Sequence, residues 1–106
     1  MKFLRLSFLI LFGLLLLSCQ SSTLGMAGTN PPSHQIWDQL VKSHVKSNGL
    51  VNYKGFIQDK AKLEQYLKLV SENAPDRKTW SKNEQLAYWI NAYNAFTVKL
   101  IVDNYP

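Results

Sequence analysis

The sequence predicts a mainly α fold of about three helices and one short extended segment, the N-terminal fragment of a larger α+β domain. Three observations predict it. Apolar residues recur at helical spacing in two stretches, within 34–49 and 59–73. A serine–glutamate capping signature, Ser81 to Glu84, opens a third and longer stretch. That third stretch is apolar on nearly every side, so it needs more cover than two short helices provide.

The chain begins "MKFLRLSFLILFGLLLLSCQSS". Lys2 and Arg5 form a positive head, and Leu6 to Leu17 is an uncharged run of twelve residues. A membrane-spanning helix needs roughly 20 apolar residues. This run is shorter and suits a signal-peptide core of about 7–15 residues. Residues 1–18 therefore read as a secretory signal. "LLSC", Leu16 to Cys19, resembles the bacterial lipobox, in which small or aliphatic residues precede a cysteine whose sulfur is acylated. The alternative is an ordinary signal with an incidental cysteine. Cys19 is the only cysteine, so no intramolecular disulfide can form. A lone exported thiol at the end of a leucine run is best explained by modification, and lipidation of Cys19 is the reading. Acylation would attach the chain to a membrane without spanning it, and stable attachment takes more than one acyl chain. Gln20, not aspartate, follows the cysteine, so in a Gram-negative source the expected address is the outer membrane and periplasm.

The net charge is +5, and removing Lys2 and Arg5 with the signal leaves ten basic against seven acidic residues, or +3. No lysine–arginine cluster occurs, so a nucleic-acid partner is not expected. Residues 19–33, "CQSSTLGMAGTNPPS", are small, polar and broken by glycine and proline. They read as a flexible tether between lipid and domain.

Ser33 is expected to cap a helix just after Pro31 and Pro32, and Ile36, Trp37, Leu40, Val41 and Val45 recur with helical spacing. Asn48-Gly49 is expected to supply a left-handed stop to that first helix. "LVNYKGF", residues 50–56, is short, β-rich and partly alternating, and reads as a strand or extended segment. The second helix is expected from about Asp59 to Asn73, with Leu63, Tyr66, Leu67 and Val70 on one face, and Pro75 ends it. The third helix runs from the capping box to about Asn104, before Pro106. Between Leu86 and Val98 its only polar side chains beyond tyrosine and tryptophan are Asn91, Asn94 and Thr97, at steps of three along one drifting stripe. A part folded from 34 to 106 is near the size where one core barely suffices. With so apolar a helix as its last element, residues 34–106 are expected to be the N-terminal portion of a longer domain.

"IWDQLVKSHVKSNGLVNYKGF", then "L..YL", then "WSKNEQLAYWINAYNAFTVKLIVDNYP" together resemble the family of domain of unknown function 547 (DUF 547). The resemblance is read over 34–106, and its most specific part is the "WINAYNA" core, Trp89 to Ala95. Many bacterial members are exported or lipid-anchored, which agrees with the signal. The resemblance implies that full-length members continue past "YP" into a segment with histidine and a serine-cysteine-proline-rich run. Any cysteine–histidine chemistry would lie there. The family's activity is unestablished, so the resemblance implies a fold and an address but no reaction.

Asn91 and Asn94 admit two readings. Both amides bond to neighbouring backbone, as buried polar groups must, or they face a cleft and orient a ligand. Trp89 and Tyr93 join them as structural or candidate cleft residues, because the aromatics Trp37, Tyr53, Trp80, Tyr88, Trp89 and Tyr93 line either a core or a sugar- or peptide-binding groove. His34 sits at a helix start, and His44, one turn after Leu40, reads as a half-buried packing residue. Neither has metal-ligand spacing around it, and the carboxylates are scattered. No phosphate loop or serine elbow occurs. No catalytic residue, metal or cofactor is therefore assigned to the chain. The expected function is that of an exported, lipid-anchored cell-envelope protein with a binding or structural role. Its partners are the membrane, through Cys19, and an envelope protein, peptide or glycan. The alternative is the N-terminal part of an envelope enzyme, such as a cysteine-dependent hydrolase, with its catalytic residues beyond Pro106.

Overall fold

The computed structural model describes residues 29–106, and these are mainly helical. The signal at 1–18, Cys19 and most of the expected tether lie outside the described residues. Four helices follow in order: α1 Gln35–His44, α2 Tyr53–Gln58, α3 Lys60–Glu72 and α4 Lys82–Asp103.

The last residues of the expected tether are packed on the domain. Thr29 Oγ1–H donates to the Ala74 carbonyl, the buried Trp80 indole N–H donates to the Thr29 carbonyl at 2.7 Å, and Pro32 is buried. Ser33 stands one residue before the N-cap, where its hydroxyl accepts from Gln35 N–H at 3.3 Å. The helix it introduces ends earlier than Asn48-Gly49. Val45 leaves α1 in an extended conformation and forms an antiparallel bridge with Val51. Gly49 is left-handed, φ +85°, but it serves the turn between those two valines. Two β-branched residues pairing across a short turn outcompete another helical turn here.

The extended segment is likewise shorter than its sequence suggests. Only Val51 pairs, and residues 53–58 are helical. Asn52 caps α2, its side-chain oxygen accepting from Gly55 N–H at 3.1 Å. The cap and the burial of Gly55 and Phe56 override the β propensity of the segment. A single residue, Asp59, joins α2 to α3 and lies at the end of both.

On α3, Leu63, Tyr66, Leu67 and Val70 form the buried face read from the spacing, and Tyr66, Leu63 and Val70 are fully enclosed. The capping box at Ser81 is present: Glu84 N–H donates to Ser81 Oγ at 3.1 Å and Ser81 N–H to Glu84 Oε1 at 2.8 Å. α4 turns Tyr88, Ala92, Ala95 and Val102 inward, and the two buried alanines leave little side chain between it and the neighbouring helices. Trp80 meets Tyr88 edge-on at 5.7 Å, and the Tyr88 O–H donates to the Val70 carbonyl at 2.7 Å, tying α4 to the end of α3. Lys60, Glu64, Lys99 and Asp103 form an exposed ion network across the same pair of helices.

The helix expected to be enclosed on most sides is enclosed on one. Leu86, Trp89, Ile90, Tyr93, Phe96 and Leu100 of α4 all stand exposed among the described residues. α2 and α3 lie innermost, each packed against the other three helices.

Candidate functional site

α1 packs on α2 and α3, whereas α4 packs on α2 and α3, so α1 and α4 face each other across a groove. Trp37 forms its floor. The indole is buried, stacked near-parallel to Tyr66 at 5.9 Å and to Phe56 at 6.0 Å. Two partly open cavities share Trp37 and Val41. One, of about 490 Å³, is edged by His34, Gln35, Asp38 and Asn91. The other, of about 410 Å³, is edged by Val45, Val51, Tyr53, Asn94 and Val98. Together they make a trough along the seam, polar at its His34 end and apolar at its Val45 end.

Asn91 is half-buried and Asn94 exposed, and among the described residues neither side-chain amide makes a hydrogen bond. Every buried side-chain nitrogen and oxygen among those residues does have a partner. The two amides are therefore free polar groups at the wall of the groove. Trp89 and Tyr93 project to the exposed far side of α4, so the four residues grouped by the sequence divide into two pairs on different surfaces.

The polar mouth has its own supports. His34 Nδ1 lies 2.6 Å from the Tyr66 hydroxyl. Burial lowers the His34 pKa from its ordinary 6.5, favouring the neutral ring, which can accept from the phenol O–H. Burial, followed by the neighbouring Tyr88, pushes Tyr66 up to about 12, so that phenol keeps its proton. Asp38 at the rim pairs with Lys42 at 2.9 Å, an exposed helical pair.

A second polar cluster was not visible in the sequence. His44 Nε2 meets Asp59 Oδ2 at 2.6 Å, and the ring leans on Phe56 at 5.0 Å. The two stand fifteen residues apart in the chain, His44 at a packing position and Asp59 among the scattered carboxylates. The one local cue was Gly55, a helical turn before Asp59, which leaves room for the imidazole. This pair braces α1 against the α2–α3 joint and lines neither cavity of the groove.

Among the described residues there is no group of potential metal ligands. Ser71 Oγ–H donates to its own helix at Leu67, and Ser81 is occupied by the cap. The groove offers an aromatic floor, aliphatic walls and free amides.

A family model described as "Protein of unknown function, DUF547" matches residues 77–106. The match spans α4 and its capping turn. It supports the resemblance over that part of 34–106 and names no activity. No curated protein and no solved structure matches the chain. No helix of the described residues is long and apolar enough to cross a membrane.

Proposed function

We propose that this is an exported cell-envelope protein, held at the membrane by lipid on Cys19, whose α1–α4 groove binds an extended peptide segment of an envelope partner. The observation that carries the binding role is the pair of free amides, Asn91 and Asn94, on the wall of a groove floored by Trp37. A carboxamide presents one acceptor and two donors, the complement of a peptide unit. Asn91 and Asn94 sit three residues apart, about 4.5 Å along the helix axis. That spacing lets both engage one extended chain while its side chains enter the apolar end. The anchor is supported by "LLSC" at the end of the twelve-residue apolar run, and Gln20 favours the outer membrane in a Gram-negative source.

Selecting a displayed peptide library on the full chain tests the groove. Selected peptides should lose about tenfold or more in affinity on Asn91→Leu or Asn94→Leu, since each amide contributes one or two bonds of about 0.5–1.5 kcal/mol. Peptides indifferent to both substitutions would overturn the proposal, as would cell-wall glycans binding in their place. For the anchor, Cys19→Ser should abolish incorporation of labelled palmitate and leave unprocessed precursor. Equal labelling of both chains would exclude lipidation at Cys19.

A further inference from the structure

The chain reaches α1 by way of the connection between α3 and α4, residues 73–81. Thr29 Oγ1–H donates to the Ala74 carbonyl there, and the buried Trp80 indole N–H donates to the Thr29 carbonyl at 2.7 Å. A chain held at Thr29 meets the domain at this end. The other end is remote: α4 is 22 residues, about 33 Å long, and its Asp103 closes on Lys60 at the start of α3 at 3.1 Å. Ten residue steps separate Thr29 from Cys19, at most about 36 Å of fully extended chain. A lipid on Cys19 therefore keeps the α3–α4 connection within that distance of the bilayer. The Lys60–Asp103 end has no such restraint.

The tethered end carries basic side chains. Arg77, Lys78 and Lys82 are exposed, and none has an ion pair among the described residues. The two carboxylates of the same stretch, which the three cations outnumber, are turned onto backbone. Asp76 Oδ1 accepts from Lys78 N–H at 2.8 Å, and Glu84 Oε1 accepts from Ser81 N–H at 2.8 Å. From Gln20 to Ser33 no residue is charged, so the chain leading there does not repel an anionic surface. A basic residue beside anionic lipid gains little by itself, but a short linker raises the effective concentration of the two to roughly the millimolar range. Weak contacts then hold an orientation that they could not capture from solution.

We infer that the α3–α4 connection is the membrane-facing surface of the domain, with Arg77, Lys78 and Lys82 on the phosphates of anionic lipid headgroups. The inference rests on the anchor at Cys19 and not on the groove.

The test uses the full chain, made without acylation and coupled through Cys19, its one thiol, to a maleimide lipid in vesicles. The vesicles are phosphatidylcholine alone or mixed with phosphatidylglycerol, and surface lysines are mapped by brief acetylation and mass spectrometry. Lys78 and Lys82 should be acetylated about fivefold more slowly on the mixed vesicles, the gain of one basic residue beside an anionic surface. Lys54, next to the Tyr53–Tyr105 contact, and Lys62, near Lys60, are exposed at the far end and should react alike on both. The difference should vanish at about 1 M salt, where the Debye length falls to about 3 Å. Arg77→Gln combined with Lys82→Gln, both at exposed positions, should restore acetylation of Lys78 with helical dichroism unchanged. Equal reactivity of Lys78 and Lys82 on the two vesicles would overturn the inference. So would equal slowing at Lys54 and Lys62, which indicates attraction without a preferred face. Because the anchor here is chemical, a failure of palmitate labelling at Cys19 bears on acylation alone, and the face that docks is read separately.

Discussion

Gly55 is held to glycine by a neighbouring side chain, since its backbone is ordinary helix. A Cβ at this position would lie 2.3 Å from His44 Nδ1 and 2.9 Å from Asn52 Nδ2. The imidazole has little room to retreat, because Asp59 holds its Nε2 and Phe56 stands against its face. Alanine improves helix propensity by about 1 kcal/mol, whereas forcing an atom into a packed contact costs about 1–3 kcal/mol. Gly55→Ala should therefore lower the urea midpoint, and combining it with His44→Ala should cost less than the two changes summed. A raised midpoint in Gly55→Ala would show that the His44 ring is free to move. His34 gives a pH signature. Its pKa is lowered in the folded chain, so the unfolded chain binds more protons once the pH drops below 6.5. The stability tied to the neutral ring is complete above pH 6.5 and is lost as pH falls toward the lower folded value. Asp103, lowered from 3.8 first by its hydrogen bond from Lys99 and then by that from Lys60, loses its share in a separate, more acidic window. An NMR titration should place the His34 midpoint below 6.5, and His34→Gln should flatten the upper limb of the stability profile alone.

Among the elements, α2 best shows what a sequence conceals. Six residues are too few for periodicity to declare a helix, and "LVNYKGF" carries the β-branched and aromatic residues of a strand. A single side chain, Asn52, helps set the outcome by satisfying Gly55 N–H at 3.1 Å. Asn52→Ala should cost about 0.5–2 kcal/mol, the ordinary loss of a cap, and so should Ser81→Ala at the start of α4. Unchanged urea midpoints would mean that packing of Phe56 and Tyr88 alone defines those ends. The cap at Ser81 was legible because serine and glutamate three apart are a local signal, and the buried face of α3 because four apolar residues fix it. The end of α1 was not, since it depends on Val45 meeting Val51 across a turn. The spacing of Asn91 and Asn94 was equally plain in the sequence. Which surface they occupy was not, because a helix apolar all round does not announce the face it buries. Their neighbours in the groove, Trp37 and Val41, come from an element some fifty residues away. That proximity is a property of packing alone.

At the largest scale, the four helices of the described residues close one core around α2 and α3 and leave a broad apolar face of α4 exposed among those residues. An apolar face of this size, left bare, favours association. Stability should then depend on concentration. If folding and pairing are coupled, each tenfold dilution removes about 1.4 kcal/mol per mole of dimer from the free energy of unfolding. In a chain of residues 29–106, which holds the four described helices, the thermal midpoint should fall on dilution, and binding of a hydrophobic dye should rise as the exposed apolar face of α4 is released. Tyr93→Glu places a carboxylate in the middle of the exposed apolar face, where burial against any partner would strand its charge. Its midpoint should be low and independent of concentration, with dye bound at every dilution. Tyr93 is exposed in the single chain, so this substitution leaves the core around Tyr66 and Val70 intact and changes the pairing alone. A wild-type midpoint that stays constant over a hundredfold range would mean that four helices are stable with that face bare, and that the face on α4 contributes nothing to the fold.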